Sequence, residues 1–407
     1  MKVLEINTVY GIGSTGKIVS DLYEMLTGQG HECVIAYARG EAPENIRTIK
    51  IGNKWDVYYH GIMTRITDRH AMYSVRATKK LVEDIRRYEP DLIHLHNLHG
   101  YYLDIRTLFA FLKEYDRPVV WTLHDCWTYT GHCSHYTNVG CYRWKSQCEH
   151  CPQKKEYPAS MLLDNSYQNY RIKKELFTSV RNMHLVTPSK WLKGEVEQSF
   201  FKGIPCSAVP NGLELETYYL KQENEQEKLK ETYGLSGKKV VLGVANVWTK
   251  QKGYEDFIEL SGHLPEEYQV VMVGLNEKQL KELPETIAGY PRTAGLSELA
   301  DFYRMADVYF NGSCQETMGM TTGEAICCGT PAIVYNATAV PESVHEGCGI
   351  VLEPGDVKGV AEAVQQICNE PTPWYEGCKK DRIRFDKAVF LEAYEQIYRE
   401  LMKGVTG

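Results

Sequence analysis

The sequence predicts an α/β protein built from two doubly wound domains. Short apolar runs alternate with longer amphipathic ones, the pattern of a parallel sheet wrapped by helices on both faces. The alternation runs through the first half and begins again after the polar stretch Lys221–Lys239. The length of 407 residues suits two or three domains at roughly 100–200 residues each.

In the first half, Val3–Ile6, Cys33–Tyr37, Thr48–Ile51, Leu92–His96, Val119–Leu123 and Leu185–Thr187 read as strands. Ile18, Leu22, Met25 and Leu26 share one helical face after Gly16, and Leu108, Phe111 and Leu112 do so before Val119. In the second half, Val240–Val244, Val270–Val273, Val308–Asn311, Ala332–Tyr335 and Ile350–Leu352 read as strands. Glu255–Gly262, Leu296–Met305, Gly323–Cys328 and Val357–Asn369 read as helices between them. The expected domains are 1–205, with a cysteine-rich insert at 126–152, and 206–382. Residues 383–407 hold a last helix. Its Val389, Phe390, Tyr394, Ile397, Tyr398 and Leu401 make an apolar face too wide for solvent. Facing domains of this kind place their strand C-terminal ends along one cleft, where ligands bind.

Composition narrows the function. Hydrophobic residues are 43% and charged residues 24%, which excludes a disordered chain. Lys plus Arg is 46 against 53 for Asp plus Glu, so the net charge of −7 argues against nucleic acid as the partner. No apolar run approaches the roughly 18 residues of a spanning helix. MKVLEINTVYGIG reads as a strand and glycine loop rather than a signal peptide, so the expected location is cytoplasmic. The 13 cysteines then argue against a disulfide framework.

The most informative segment is Cys314–Pro331, CQETMGMTTGEAICCGTP. Glu316 and Glu324 are separated by seven residues and span a strand-to-helix loop. Gly319 permits a tight turn there, and the loop's N–H groups with the helix N-terminus favour an anion such as phosphate. Glu324, one or two turns into the helix, can accept hydrogen bonds from a ribose diol. Alone it reads as a solvated helix carboxylate; within the full string it reads as functional.

This segment resembles the E-x7-E signature of glycosyltransferase family 4, retaining enzymes of the GT-B fold that use nucleotide-sugar donors. Other motifs agree in order: Gly11-Ile-Gly-Ser-Thr-Gly16-Lys17 resembles the family's glycine loop, Pro188-Ser189 its P-S segment, Pro210-Asn211-Gly212 its P-N-G turn, and Lys252-Gly253 its K-G element. GSTGK, HLHNLHGYY and LHDCW look closest to bacterial capsule and exopolysaccharide enzymes. The resemblance implies that the last helix crosses back to the first domain. It implies catalytic roles for Glu316, His124 and Lys252, with Glu316 holding donor sugar hydroxyls and Lys252 neutralising the diphosphate. Donor contacts fall to Gly13, Gly16, Asn246, Lys250, Met318, Gly319 and Glu324. Two positions depart from the pattern. Asn246 stands where the family carries arginine six residues before Lys252, leaving that lysine and Lys250 to meet the charge, and Met318 replaces a phenylalanine-like residue. No catalytic cofactor is implied.

The glycine loop by itself is a weak signal that also serves plain strand–helix packing. His94 and His96 point to one face of a strand, as metal ligands would, but hydrogen-bonded packing histidines are the commoner case. His124 ends the strand VVWTLHD and matches the family histidine that contacts sugar or acceptor. Asp125 beside it reads as a loop or cap residue.

Cys133, Cys141, Cys148 and Cys151 follow C-x7-C-x6-C-x2-C, whose last pair suits a metal knuckle. A structural zinc closing a floppy insert, free thiols and a redox disulfide all fit this spacing, with Cys126 and His132 as reserve ligands. Arg65, Arg69, Arg76, Lys79, Lys80, Arg86 and Arg87 give a basic strip, either a solvated face or an attraction to an anionic leaflet. The expected function is transfer of a sugar to a glycan or polyprenyl-diphosphate-linked acceptor in surface polysaccharide assembly, peripheral to the inner membrane face. The alternative is a non-catalytic sugar-nucleotide-binding or scaffold protein of the same fold, which Asn246 supports.

Overall fold

The computed structural model describes residues 1–404. They form two units: Met1–Val209 with the chain from Leu391 onward, and Pro210–Phe390.

In the first unit, β1 (Lys2–Val9), β2 (Glu32–Arg39), β3 (Thr48–Lys50), β4 (Leu92–Leu95), β5 (Val119–Thr122), β6 (Met183–Thr187) and β7 (Cys206–Ala208) make one sheet. Its order is β3-β2-β1-β4-β5-β6-β7. Every pair is parallel; Val3 lies between Cys33 and Leu92. Helices cover both faces, so β4 and β5 are buried at every residue, the polar His94 and Thr122 included. The order reverses between β1 and β4, which opens a crevice at their C-terminal ends.

The second unit repeats the plan with β8 (Lys239–Val244), β9 (Tyr268–Val273), β10 (Ile287–Tyr290), β11 (Val308–Asn311), β12 (Ala332–Tyr335) and β13 (Gly349–Leu352). The order β10-β9-β8-β11-β12-β13 puts the reversal between β8 and β11.

Three expectations need correction. The first unit does not end at residue 205: Cys206–Ala208 pairs with β6 as an edge strand, Leu185 opposite Cys206. The second unit does not end at 382. Phe385 is buried in its core, and the Leu213 N–H donates to the Phe385 carbonyl at 2.6 Å. Gly212 is needed there, since a Cβ would stand 2.6 Å from the Lys387 Cα. The last helix, Lys387–Lys403, starts after that junction and seats Tyr394 and Tyr398 in the first unit. Finally, the cysteine-rich insert is not floppy. Its 3₁₀ turns bury Trp127, Tyr129 and Trp144 in the first unit's core, and Tyr136 between them joins it.

Candidate active site

In the second unit the loops after β8 and β11 meet at the strand-order reversal. Gly253 has φ +77°, and a Cβ on it would stand 2.7 Å from the Gly312 carbonyl oxygen. Two glycines therefore let the loops touch backbone to backbone. The Cys314 N–H donates to the Gln251 carbonyl at 2.9 Å and ties them. The 3₁₀ turn Lys250–Lys252 then points the Lys252 ammonium at Glu316, Nζ to Oε1 2.9 Å. Lys252 is 36% exposed and Glu316 13%, so the cation reaches solvent from a half-buried carboxylate. The Glu316 backbone N–H donates to Thr338 Oγ1 at 3.0 Å, which fixes the loop's far side.

Gly319 caps the helix Met320–Cys327; a Cβ there would stand 2.6 Å from Ser343 Oγ. Glu324, within that helix, accepts from the Tyr303 hydroxyl at 2.7 Å. Burial pushes its carboxyl up to about 7, against the stabilising hydroxyls of Tyr303 and Tyr218. The remaining donor-side residues are arranged otherwise. Lys250 is exposed and pairs with Glu255 at 3.4 Å, away from Glu316. Asn246 is exposed in the loop after β8. Met318 is turned toward the unit's core, its sulfur 3.1 Å from the Asn211 N–H.

In the first unit the glycine loop follows β1. Gly16 is packing: a Cβ would stand 3.0 Å from the Gly11 nitrogen. Gly13 has φ +65° with open space where a Cβ would be, so its backbone is approachable. His124 follows β5 and is half-buried. Its Nε2 lies 3.2 Å from His96 Nδ1, and His96 Nε2 lies 2.7 Å from Glu5 Oε2. His94 contacts the Tyr398 hydroxyl at 2.6 Å and Thr122 Oγ1 at 2.8 Å. The donor atoms of Glu5, His94 and His96 lie within 4.8 Å of one another, close enough for a metal. Each ring nitrogen of the two histidines already has a protein partner, so the cluster is a closed hydrogen-bond network. Burial opposes charge on Glu5, but His94 and His96 hold its carboxyl at about 2. Burial and His94 push the His96 imidazole down to about 4 despite Glu5. Ionised Glu5 thus accepts a hydrogen bond from the Nε2–H of neutral His96, which leaves Nδ1 as acceptor and assigns the His124 Nε2 as donor. Asp125 accepts from the Trp127 N–H at 2.9 Å and faces His99.

Sequence reading missed Glu5, Thr122, Tyr394 and Tyr398 as parts of this network. Glu5 did leave a signal, a carboxylate inside the apolar strand VLEIN. The tyrosines lie some 300 residues from their partners and left none.

Two family models match this chain: Glycosyltransferase Family 4 over residues 15–217 and Glycosyl transferases group 1 over residues 225–387. The chain belongs to the family 4 glycosyltransferases. Among curated relatives, a putative colanic acid biosynthesis glycosyl transferase of Escherichia coli is 25% identical over 53% of this chain and 56% of its own length. A capsular polysaccharide biosynthesis glycosyltransferase of Staphylococcus aureus is 24% identical over 48% of this chain and 55% of its own. The chain thus spans about half the length of these relatives. Among solved structures, Anabaena HepE in complex with UDP is similar with TM-score 0.70 at 16% identity, covering 98% of this chain and all of that one. Sucrose-phosphate synthase from Thermosynechococcus elongatus has TM-score 0.69 at 16% identity, covering 99% of both. These likenesses establish the GT-B fold.

Proposed function

We propose that this chain is a retaining glycosyltransferase. It moves a sugar from a nucleoside-diphosphate donor to a glycan or polyprenyl-diphosphate-linked acceptor during bacterial surface polysaccharide assembly. The observation that carries this reading is the Lys252–Glu316 pair at the second unit's strand-order reversal. A cation there meets the charge that develops on the departing diphosphate. Glu316 accepts from donor sugar hydroxyls and orients C1. Glu324 accepts from the ribose diol. His124, oriented by His96 and Glu5, serves the sugar or acceptor. The C1–phosphate oxygen bond breaks and the C1–acceptor oxygen bond forms on the same face. The acceptor proton passes to a phosphate oxygen, so no strong protein base is required. Lys252 supplies the neutralising charge that a divalent metal would otherwise supply, with Gly13, Gly319 and loop N–H groups as further phosphate donors.

The capsular and colanic acid relatives support the pathway class, and the UDP-bound Anabaena structure puts UDP-sugars first in a donor panel. Release of nucleoside diphosphate that requires a glycan or lipid-linked acceptor, with the product anomer read by NMR, tests the reading. Tight nucleotide binding without release from any donor would favour the non-catalytic alternative. An inverted product would refute retention.

A membrane-facing role rests on the helix Lys54–Thr67. No helix among the described residues is long and apolar enough to cross a membrane. This helix instead exposes Trp55, Tyr58, Tyr59, Ile62 and Ile66 along one stripe, beside exposed Arg65 and Arg69. Exposed Met161, Leu162 and Leu163 adjoin it, the Met161 N–H donating to the Arg65 carbonyl at 2.7 Å. Aromatic and aliphatic side chains with arginines at their rim suit an anionic leaflet. The protein should float with anionic vesicles, and Trp55→Ala with Tyr58→Ala should abolish this. Flotation that is absent, or equal with neutral vesicles, would refute it.

A further inference from the structure

We propose that Cys133, Cys141, Cys148 and Cys151 bind one zinc ion as a structural tetrathiolate, separate from the sugar-transfer site. All four are free thiols lining one small cavity of about 20 Å³. That space is too small for an organic ligand and suits a single ion. The sulfurs of Cys133 and Cys151 are already in hydrogen-bond contact. Backbone N–H groups hold two of the sulfurs, Cys148 by Gly131 and Cys151 by Gln153. A donor two residues beyond the last cysteine is the backbone arrangement of a metal knuckle, whose N–H···S bonds disperse thiolate charge. Gly131 is required for its approach: a Cβ there would stand 2.7 Å from the Cys148 Cβ and 2.2 Å from the Ser166 carbonyl oxygen.

A second, independent observation is a buried cation. Lys173, on the helix Ser166–Phe177, is 1% exposed. Its ammonium donates to the carbonyls of Trp127 (2.6 Å) and Thr130 (3.1 Å) and lies 3.5 Å from the centre of the Trp127 ring. No carboxylate forms an ion pair with it among the described residues. A buried ammonium with no direct ion pair is costly. Burial pushes its amine down to about 7, and the negative groups that act on it are, in order, Cys148, Asp125, Cys133 and Asp68. Four thiolates around one divalent ion carry a net charge of −2, which adds a nearby counter-charge to those of Asp125 and Asp68. No three of the four sulfurs lie within 4.8 Å of one another, as the Glu5–His94–His96 donors do. Ligation at Zn–S of about 2.3 Å therefore closes the set by turning cysteine side chains. Four protein ligands leave no open position, so the ion holds the insert and takes no part in sugar transfer.

The test uses the full chain grown with added zinc and passed through a chelator-containing column. About one zinc per chain is expected by elemental analysis. Mercurial titration should release it while unmasking four thiols. Cys148→Ser and Cys151→Ser should each lose the metal, whereas Cys206→Ser, on an edge strand outside the cavity, should retain it. If the cluster variants do not fold, cobalt added to the chelator-stripped wild-type chain decides. Intense tetrahedral thiolate bands support the site; the pale spectrum of aqueous cobalt overturns it. A zinc-free chain after zinc-supplemented growth, or a mass two protons light for each disulfide in the cluster, also overturns it. Metal content is read without turnover, so failure here is distinct from failure of the glycosyltransferase reading.

Discussion

Replacing Glu316 by glutamine separates two jobs of one residue. Lys252 is held at 2.9 Å by Glu316, and an incoming diphosphate must compete for that ammonium. At this distance the Coulomb energy is about 6 kcal/mol at an effective dielectric of about 20 and about 1.4 kcal/mol in water. Lys252 is 36% exposed, so screening and the replacement contact bring the net cost of releasing it near 1 kcal/mol. Glu316→Gln removes that competitor while keeping the side chain's shape. Affinity for the nucleoside diphosphate of the active donor should rise about fivefold. Turnover should fall roughly 10²–10³-fold, about 2.7–4 kcal/mol, the scale of losing a group that acts where charge develops. Calorimetric titration with the nucleoside diphosphate gives the first quantity and steady-state release the second. Turnover within twofold of wild type would refute the sugar-orienting role. Affinity lost together with turnover would show that Glu316 supports the phosphate site instead of competing with it.

Glu324 should make nucleotide binding pH-dependent. Its ionised form is the better acceptor for a ribose diol, and its carboxyl titrates at about 7, so affinity should climb as pH rises through 7. Glu324→Gln should flatten that profile, and an unchanged profile would dismiss the ribose contact. Glu5, held at about 2, stabilises the fold above its unfolded pKa and loses this as pH falls from about 4.5 toward 2. Glu5→Gln should therefore reduce the acid sensitivity of thermal unfolding over that window. Equal slopes for both proteins would count against the buried network. Gly253→Ala places a Cβ against the Gly312 backbone at positive φ. It should cost about 1–3 kcal/mol of stability and move Lys252 off Glu316, seen as weaker nucleotide binding. A variant with wild-type Tm and affinity would show that the two loops need not touch.

The two parallel sheets were legible in the sequence, because strands buried on both faces are short and mostly apolar. Sequence reading missed β10, Ile287–Tyr290, which Gly289 interrupts, and β7, Cys206–Ala208, a half-buried edge strand of small residues, because neither carries an apolar run. The Glu316-x7-Glu324 string and Lys252-Gly253 were legible because loop and helix geometry is local. That Lys252 meets Glu316 was not, since it depends on Gly253 and Gly312, 59 positions apart, packing without side chains. Along the chain Lys250 read as a helper of Lys252 at the diphosphate, with Asn246 in place of the family arginine. The 3₁₀ turn and Glu255 direct Lys250 elsewhere. Only tertiary structure showed what stands behind His124. Strand β1 supplies Glu5 and β4 supplies His96, while the last helix supplies Tyr398. Such a buried polar network is specified by partners distant in sequence, each meeting another's hydrogen-bonding need, and no local pattern encodes that pairing.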